Sequence, residues 1–123
     1  MSFRIALCDD NHAFRRLIQL LLEMEPDVDV VGDAANGKEA IELVQEHRPD
    51  VLLLDVAMPI MDGIEALPHV RAASPQTRVI MLSGFSSAAI REQATAAGAE
   101  LFVEKGSDLK EIIAAIRSVG VAS

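Results

Sequence analysis

Five polar residues stand where short aliphatic runs stop. Asp9 and Asp10 follow FRIALC, Asp55 follows VLLL, Ser83 follows RVIML, and Lys105 comes two positions after LFV. Three carboxylates held close together repel one another, and like charge raises their pKa values. A hard divalent cation such as Mg²⁺ relieves that repulsion, because it takes oxygen ligands and keeps several waters. A nearby lysine helps in the same sense. In such a pocket a carboxylate can act as a nucleophile toward phosphorus and form an acyl phosphate. The cation and Lys105 would then stabilise charge on the phosphoryl oxygens. The Ser83 hydroxyl could bond one of those oxygens once the group is attached.

Taken singly, each residue has a plain structural role. Asp9 or Asp10 could cap a helix, since Asp is a favoured cap. Asp55 fits a turn before Pro59, Ser83-Gly84 is a turn signal, and a lone lysine is a solvated one. The set is stronger than its parts, because all five residues fall at matching strand ends.

The elements that must position them alternate along the chain. FRIALC (3–8) is an apolar run. Phe14, Leu17, Ile18 and Leu21 then recur at helical spacing, with Asn11 as a cap and Pro26 beyond. VDVVGDA (28–34) is a second strand. Asn36 with Glu39 resembles a capping box, and Ala40, Ile41 and Val44 form the helical face behind it, closed by Pro49. VLLL (51–54) is continuous and apolar, as a strand covered on both sides should be. A third helix runs from near Gly63 to before Pro75, with a kink or a late start expected at Pro68. RVIML (78–82) is a fourth strand, 86–97 an alanine-rich helix ended by Gly98, and LFV (101–103) a very short fifth strand. Leu109, Ile112, Ile113 and Ile116 mark the last helix. Strand and helix thus alternate five times, which argues for a parallel sheet covered on both faces. In such a sheet functional groups gather beyond the carboxyl ends of the strands.

The bulk properties narrow the function classes. A chain of 123 residues is one ordinary domain, spanning 1–123. Half of it is apolar but only 3% is aromatic, so the core is aliphatic. The formal net charge of −8 argues against an unaided grip on nucleic acid or an anionic membrane. There is no apolar run of membrane-spanning length, and MSFRIALCDD does not read as a signal peptide. Cys8 is the only cysteine, so no intrachain disulfide can form, which fits a reduced cytoplasmic setting. In its apolar run Cys8 reads as a small buried hydrophobe. His12, His47 and His69 have no metal-ligand spacing. Arg15 and Arg16 read as solvated charges or as contacts for an acidic partner.

The acidic pair in LCDDN, the run LLLDVAMPIMDG, the LSG and the EKG together resemble the receiver domain of two-component response regulators, over essentially the whole chain. The resemblance implies a flavodoxin-like, doubly wound (βα)5 fold with strand order 2-1-3-4-5. It implies that Asp55 takes a phosphoryl group from a histidine kinase or phosphotransfer protein. It makes Asp9 and Asp10 the pair that holds Mg²⁺, with Asp10 the direct ligand, Asp55 a second and the backbone carbonyl of Ala57 a third. Ser83 matches the switch hydroxyl, Lys105 the lysine that contacts the phosphoryl group, and Phe102 the switch aromatic. The switch would remodel the face made by helix four, strand five and helix five, for an output domain, a partner protein or a homodimer. Inverting a 1:99 population needs about 5.5 kcal/mol. One charge-assisted hydrogen bond supplies roughly 1.5–3 kcal/mol, so Ser83 cannot act alone.

Three other readings fit less well. A phosphohydrolase with an aspartate nucleophile needs an acid/base carboxylate two residues later, where Ala57 stands. A flavodoxin-like cofactor binder needs a phosphate loop after strand one, where Asp9-Asp10-Asn11 would repel phosphate. A degenerate receiver that only mediates contacts would not need so complete a pocket.

The chain also departs from the common receiver pattern. Gly106 follows Lys105 where many receivers have proline, often with a cis peptide; this resembles the subfamily that precedes helix-turn-helix DNA-binding domains and so points to transcription regulation. Ala57 and Phe85 stand at the two positions that tune access of the hydrolytic water. Both are apolar, so the phosphorylated protein is expected to lose its phosphoryl group slowly. Following the adduct by intact mass after donor removal tests this, and a lifetime of seconds would count against it.

Overall fold

The computed structural model describes residues 3–84, 87–106 and 108–120. The apolar runs become a five-stranded parallel sheet: β1 (Phe3–Cys8), β2 (Val28–Ala34), β3 (Val51–Asp55), β4 (Arg78–Ser83) and β5 (Leu101–Glu104). The order across the sheet is β2-β1-β3-β4-β5, as expected. Between and after the strands come α1 (His12–Glu23), α2 (Gly37–His47), α3 (Gly63–Ala73), α4 (Ala88–Ala96) and α5 (Leu109–Gly120).

Successive strand side chains face opposite ways, and the sheet sorts them into two aliphatic cores. Ala6, Cys8, Leu52, Leu54, Val79 and Met81 pack under α2, α3 and α4 with Ala40, Val44, Leu67, Val70 and Ala94. Ile5, Leu7, Val51, Leu53, Ile80 and Leu82 pack against Ile18 and Leu22 of α1 and Ile112 and Ile116 of α5. Every residue of β3 is buried, which is why its sequence is an unbroken apolar run.

Local chemistry sets the helix starts. Asn11 Oδ1 accepts from the Phe14 amide at 3.0 Å, and Asn36 Oδ1 from the Glu39 amide at 2.9 Å. Glu39 does reach back, but to the amide of Ala35 at 2.9 Å, one residue before the cap. The reciprocal capping box belongs instead to Asp62 and Glu65 at the start of α3.

Three expectations are corrected. Leu17 is 43% exposed, while Leu22 is buried. The face of α1 that meets the sheet runs along Ile18 and Leu22, one turn apart, which turns Leu17 outward. Of the two alternatives expected at Pro68, the late start is excluded, because the third helix begins at Gly63 and continues through Pro68. Pro68 is exposed and has no N–H to give the Ile64 carbonyl one turn earlier. The fourth helix begins at Ala88, with Ser87 as its cap, rather than at 86. Its alanines divide, Ala94 being buried and Ala88, Ala89 and Ala96 exposed.

Gly63 seats α3 on the end of β3. Its amide donates to the Val56 carbonyl at 2.8 Å, and a Cβ built there would lie 2.1 Å from the Asp55 carbonyl oxygen. That oxygen belongs to buried backbone and cannot swing aside. Gly63→Ala is therefore expected to destabilise the fold by roughly 3 kcal/mol. Urea denaturation measures it, and a loss under about 1 kcal/mol would mean that α3 shifts outward freely.

Candidate functional site

The parallel arrangement brings the strand-end residues to one edge. Asp55 and Ser83 are the last residues of β3 and β4, Asp9 and Asp10 follow β1 directly, and Lys105 follows β5. Asp9 and Asp55 are each 3% exposed and Ser83 is buried, while Asp10 is exposed. One carboxylate oxygen from each of Asp9, Asp10 and Asp55 lies within 4.8 Å of the others. Lys105 Nζ sits 2.6 Å from Asp9 Oδ2 and 3.4 Å from Asp55 Oδ2. The Lys105 amide donates to the Ser83 carbonyl at 2.7 Å, and the Val56 amide to that of Leu82 at 2.9 Å. These bonds hold the ends of β3, β4 and β5 in register. Val56 also gives its carbonyl to Gly63, so the first exposed residue of the loop is Ala57.

Burial sets the electrostatics. Burial and the neighbouring charge of Asp9 push the Asp55 carboxyl up to about 6, against the pull of Lys105. Burial alone would lower the Lys105 ammonium, but its contact with Asp9 and the charges of Asp55 and Asp9 outweigh that and raise it. Burial and the two acids also raise the Cys8 thiol, which donates to the Asn36 carbonyl at 3.3 Å. Cys8 is therefore a protonated core residue, as its apolar run suggested.

Asp9 is held from several sides. Its Oδ1 accepts from the Asn11 amide at 2.8 Å, and its carbonyl oxygen accepts from Arg15 Nη1 at 2.5 Å. Its buried Oδ2 pairs with the Lys105 ammonium at 2.6 Å. One ammonium shared between Asp9 and Asp55, with Asp10 also in reach, leaves the cluster net negative, which fits an oxygen-seeking divalent cation. Exposed Asp10 leaves one side open to the waters such an ion keeps. Among the described residues no histidine or cysteine joins this group.

Residues 5–117 match the response regulator receiver domain family. The chain belongs to that family. The receiver is 37% identical over 115 residues to a protein-glutamate methylesterase/protein-glutamine glutaminase from Rhodospirillum centenum, covering 92% of this chain and 29% of that protein. It is 35% identical over 117 residues to the response regulator protein VraR of Staphylococcus aureus, covering 95% and 56%. Its backbone superposes on the signal receiver domain of NarL from Mycobacterium tuberculosis with a TM-score of 0.92, at 37% identity, covering 99% and 98% of the two chains. The receiver thus spans 29% and 56% of the length of these two curated relatives.

Within the receiver, Phe102 lies apart from the acids, on the α4 side of β5, with the Arg91 guanidinium 4.7 Å from its ring centroid. Phe85 lies outside the described residues. The Lys105–Gly106 bond is trans, as are all described peptide bonds. Arg15 corrects the sequence reading. It is not a solvated charge but a brace, donating to Asp33 Oδ2 at 2.9 Å as well as to Asp9. Nothing in the local sequence marks it, because Asp33 lies on another strand. Ile60 was likewise missed. It is 79% exposed and sits at φ +69°, where the Met61 amide donates to the Pro59 carbonyl at 2.7 Å. A β-branched residue in this γ-turn stores backbone strain five residues beyond Asp55. No described helix is long and apolar enough to cross a membrane.

The raised Asp55 pKa has a sign that can be measured. The folded state holds this proton more tightly than the unfolded chain, so the stability it contributes is full below about pH 4 and lost as pH rises to about 6. Asp55→Asn carries no such charge. In EDTA it should match the wild type below pH 4 and exceed it above pH 6, by roughly 3 kcal/mol. Urea denaturation across this range tests it, and equal stability at pH 7.5 would refute the buried-charge account.

Proposed function

We propose that the whole chain, 1–123, is one receiver that accepts a phosphoryl group on Asp55 from a histidine kinase or phosphotransfer protein. One observation carries the reading: a carboxylate 3% exposed, within 4.8 Å of two further carboxylates and 3.4 Å from a lysine. With its carboxyl near 6, Asp55 is ionised at neutral pH and available as a nucleophile. An Asp55 oxygen attacks phosphorus as the P–N bond to the donor histidine breaks. The electron pair departs on the imidazole, which then takes a proton, and an acyl phosphate remains. Lys105 pairs with the new phosphoryl oxygens, and the Ser83 hydroxyl bonds one of them.

Asp9, Asp10, Asp55 and the Ala57 carbonyl would hold Mg²⁺, which supplies positive charge against the phosphoryl group. Ala57 brings no side chain able to move a proton, so the domain acts as an acceptor with slow self-dephosphorylation rather than as a turnover enzyme. Its switch runs from Ser83 to Phe102 and to the α4–β5–α5 face, where release of the Arg91–Phe102 contact would let the ring turn. That face would act on an output domain or a partner protein, or pair two copies. The relatives leave two kinds of output, and the absence of proline after Lys105 favours transcription regulation. Its single cysteine fits work in the cytoplasm, and its net charge of −8 fits a domain that does not touch nucleic acid itself.

Incubation with acetyl phosphate and Mg²⁺, read by intact mass, tests the acceptor. Wild type should gain one phosphoryl adduct that Asp55→Asn lacks. No adduct on either, with Mg²⁺ binding confirmed, would point to a receiver working through constitutive contacts. Free phosphate released over many turnovers, and lost in the variant, would point to a hydrolase.

A further inference from the structure

Phe14 takes no part in the chemistry above, yet its ring lies against the group that matters. Lys105 Nζ is 4.7 Å from the Phe14 ring centroid. Among the described residues that ammonium also pairs with Asp9 Oδ2 and Asp55 Oδ2. The contacts close a circuit. Asp9 Oδ1 accepts from the Asn11 amide, Asn11 Oδ1 accepts from the Phe14 amide, the Phe14 ring faces Lys105, and Lys105 returns to Asp9 Oδ2. Helix α1 thereby reaches across the site to a residue 91 positions away in the chain.

Lys105 needs such a hold. It leaves β5, an edge strand with no buried residue, and enters a turn with Gly106 beside it and no proline. The Ser83 carbonyl holds its amide, but the side chain beyond it has four rotatable bonds to lose. A half-buried aromatic face attracts the cation and keeps water from one side of it, which strengthens its pairing with the carboxylates. We infer that Phe14 is a positioning residue for Lys105: its ring confines the ammonium between Asp9 and Asp55, where the phosphoryl oxygens would arrive. The inference rests on the acceptor reading for its functional part. The contact itself is independent of it.

The competing role for Phe14 is packing, since it also lies against the core that holds Leu7, Ile18 and Leu82. A double-mutant cycle separates the two. Phe14→Leu keeps apolar volume and removes the ring. It should slow phosphorylation of Asp55 by acetyl phosphate about two- to five-fold, the range of a partly exposed cation–π contact. In a Lys105→Gln background the same change should have no effect, and Phe14→Tyr should keep the wild-type rate. An equal slowing in both backgrounds, or none in either, overturns the inference. A second readout needs no phosphorylation. The Lys105 ε-methylene protons should be shifted upfield by the ring in wild type and return to ordinary values in Phe14→Leu. Unshifted protons in wild type overturn the contact. If wild type takes up no phosphoryl group but these protons are shifted, the acceptor reading fails and the contact stands.

Discussion

Two carboxylates, Asp9 and Asp55, are almost wholly withdrawn from water and face a single ammonium, that of Lys105. Removing like charges from water is unfavourable, and one lysine does not neutralise two acids. The raised Asp55 pKa records what is left over. Much of the molecule serves to keep this arrangement in place. The hydrogen bonds from Val56 to Leu82 and from Lys105 to Ser83 align three strand ends. Arg15 braces Asp9 from α1 and ties it to β2 through Asp33. Gly63 lets α3 close directly over the Asp55 carbonyl.

The two cores explain why this imbalance is tolerated. Each face of the sheet carries its own aliphatic cluster, and the central strand β3 contributes to both. The acid at its end is therefore fixed by backbone that cannot relax without opening both cores. A pocket with two buried carboxylates and spare negative charge responds strongly to any cation that enters. That responsiveness is what a switch requires, and it explains why a polar site sits at the edge of so apolar a scaffold. The strained turn at Ile60 precedes α3, and the Arg91–Phe102 contact joins α4 to β5.

The alternatives lose ground for reasons visible at single positions. A hydrolase of the aspartate type would need an acid/base group where exposed Ala57 stands. A phosphate-binding cofactor site would need helix-start amides after β1. There the first capping oxygen is that of Asn11, and the acids on either side of the chain carry the wrong charge for phosphate.

Strand positions and order of elements were readable from the sequence because burial on both faces forces unbroken apolar runs, as in VLLL, and local caps such as Asn11 and Asn36 act within four residues. That the acids, Ser83 and Lys105 stand at strand ends was readable for the same reason: each comes where such a run stops. The tertiary structure alone decided which acid is buried, since Asp9 and Asp10 are chemically alike and only the path of the chain after β1 separates them. It turned Leu17 outward and Leu22 inward, because helical periodicity defines a stripe but not the direction of the sheet. It paired Arg15 with Asp33, Phe14 with Lys105 and Arg117 with Asp27, the last at 2.8 and 2.9 Å across 90 residues. Such pairs leave no local trace, because their partners meet only once the crossovers have set which strand lies beside which.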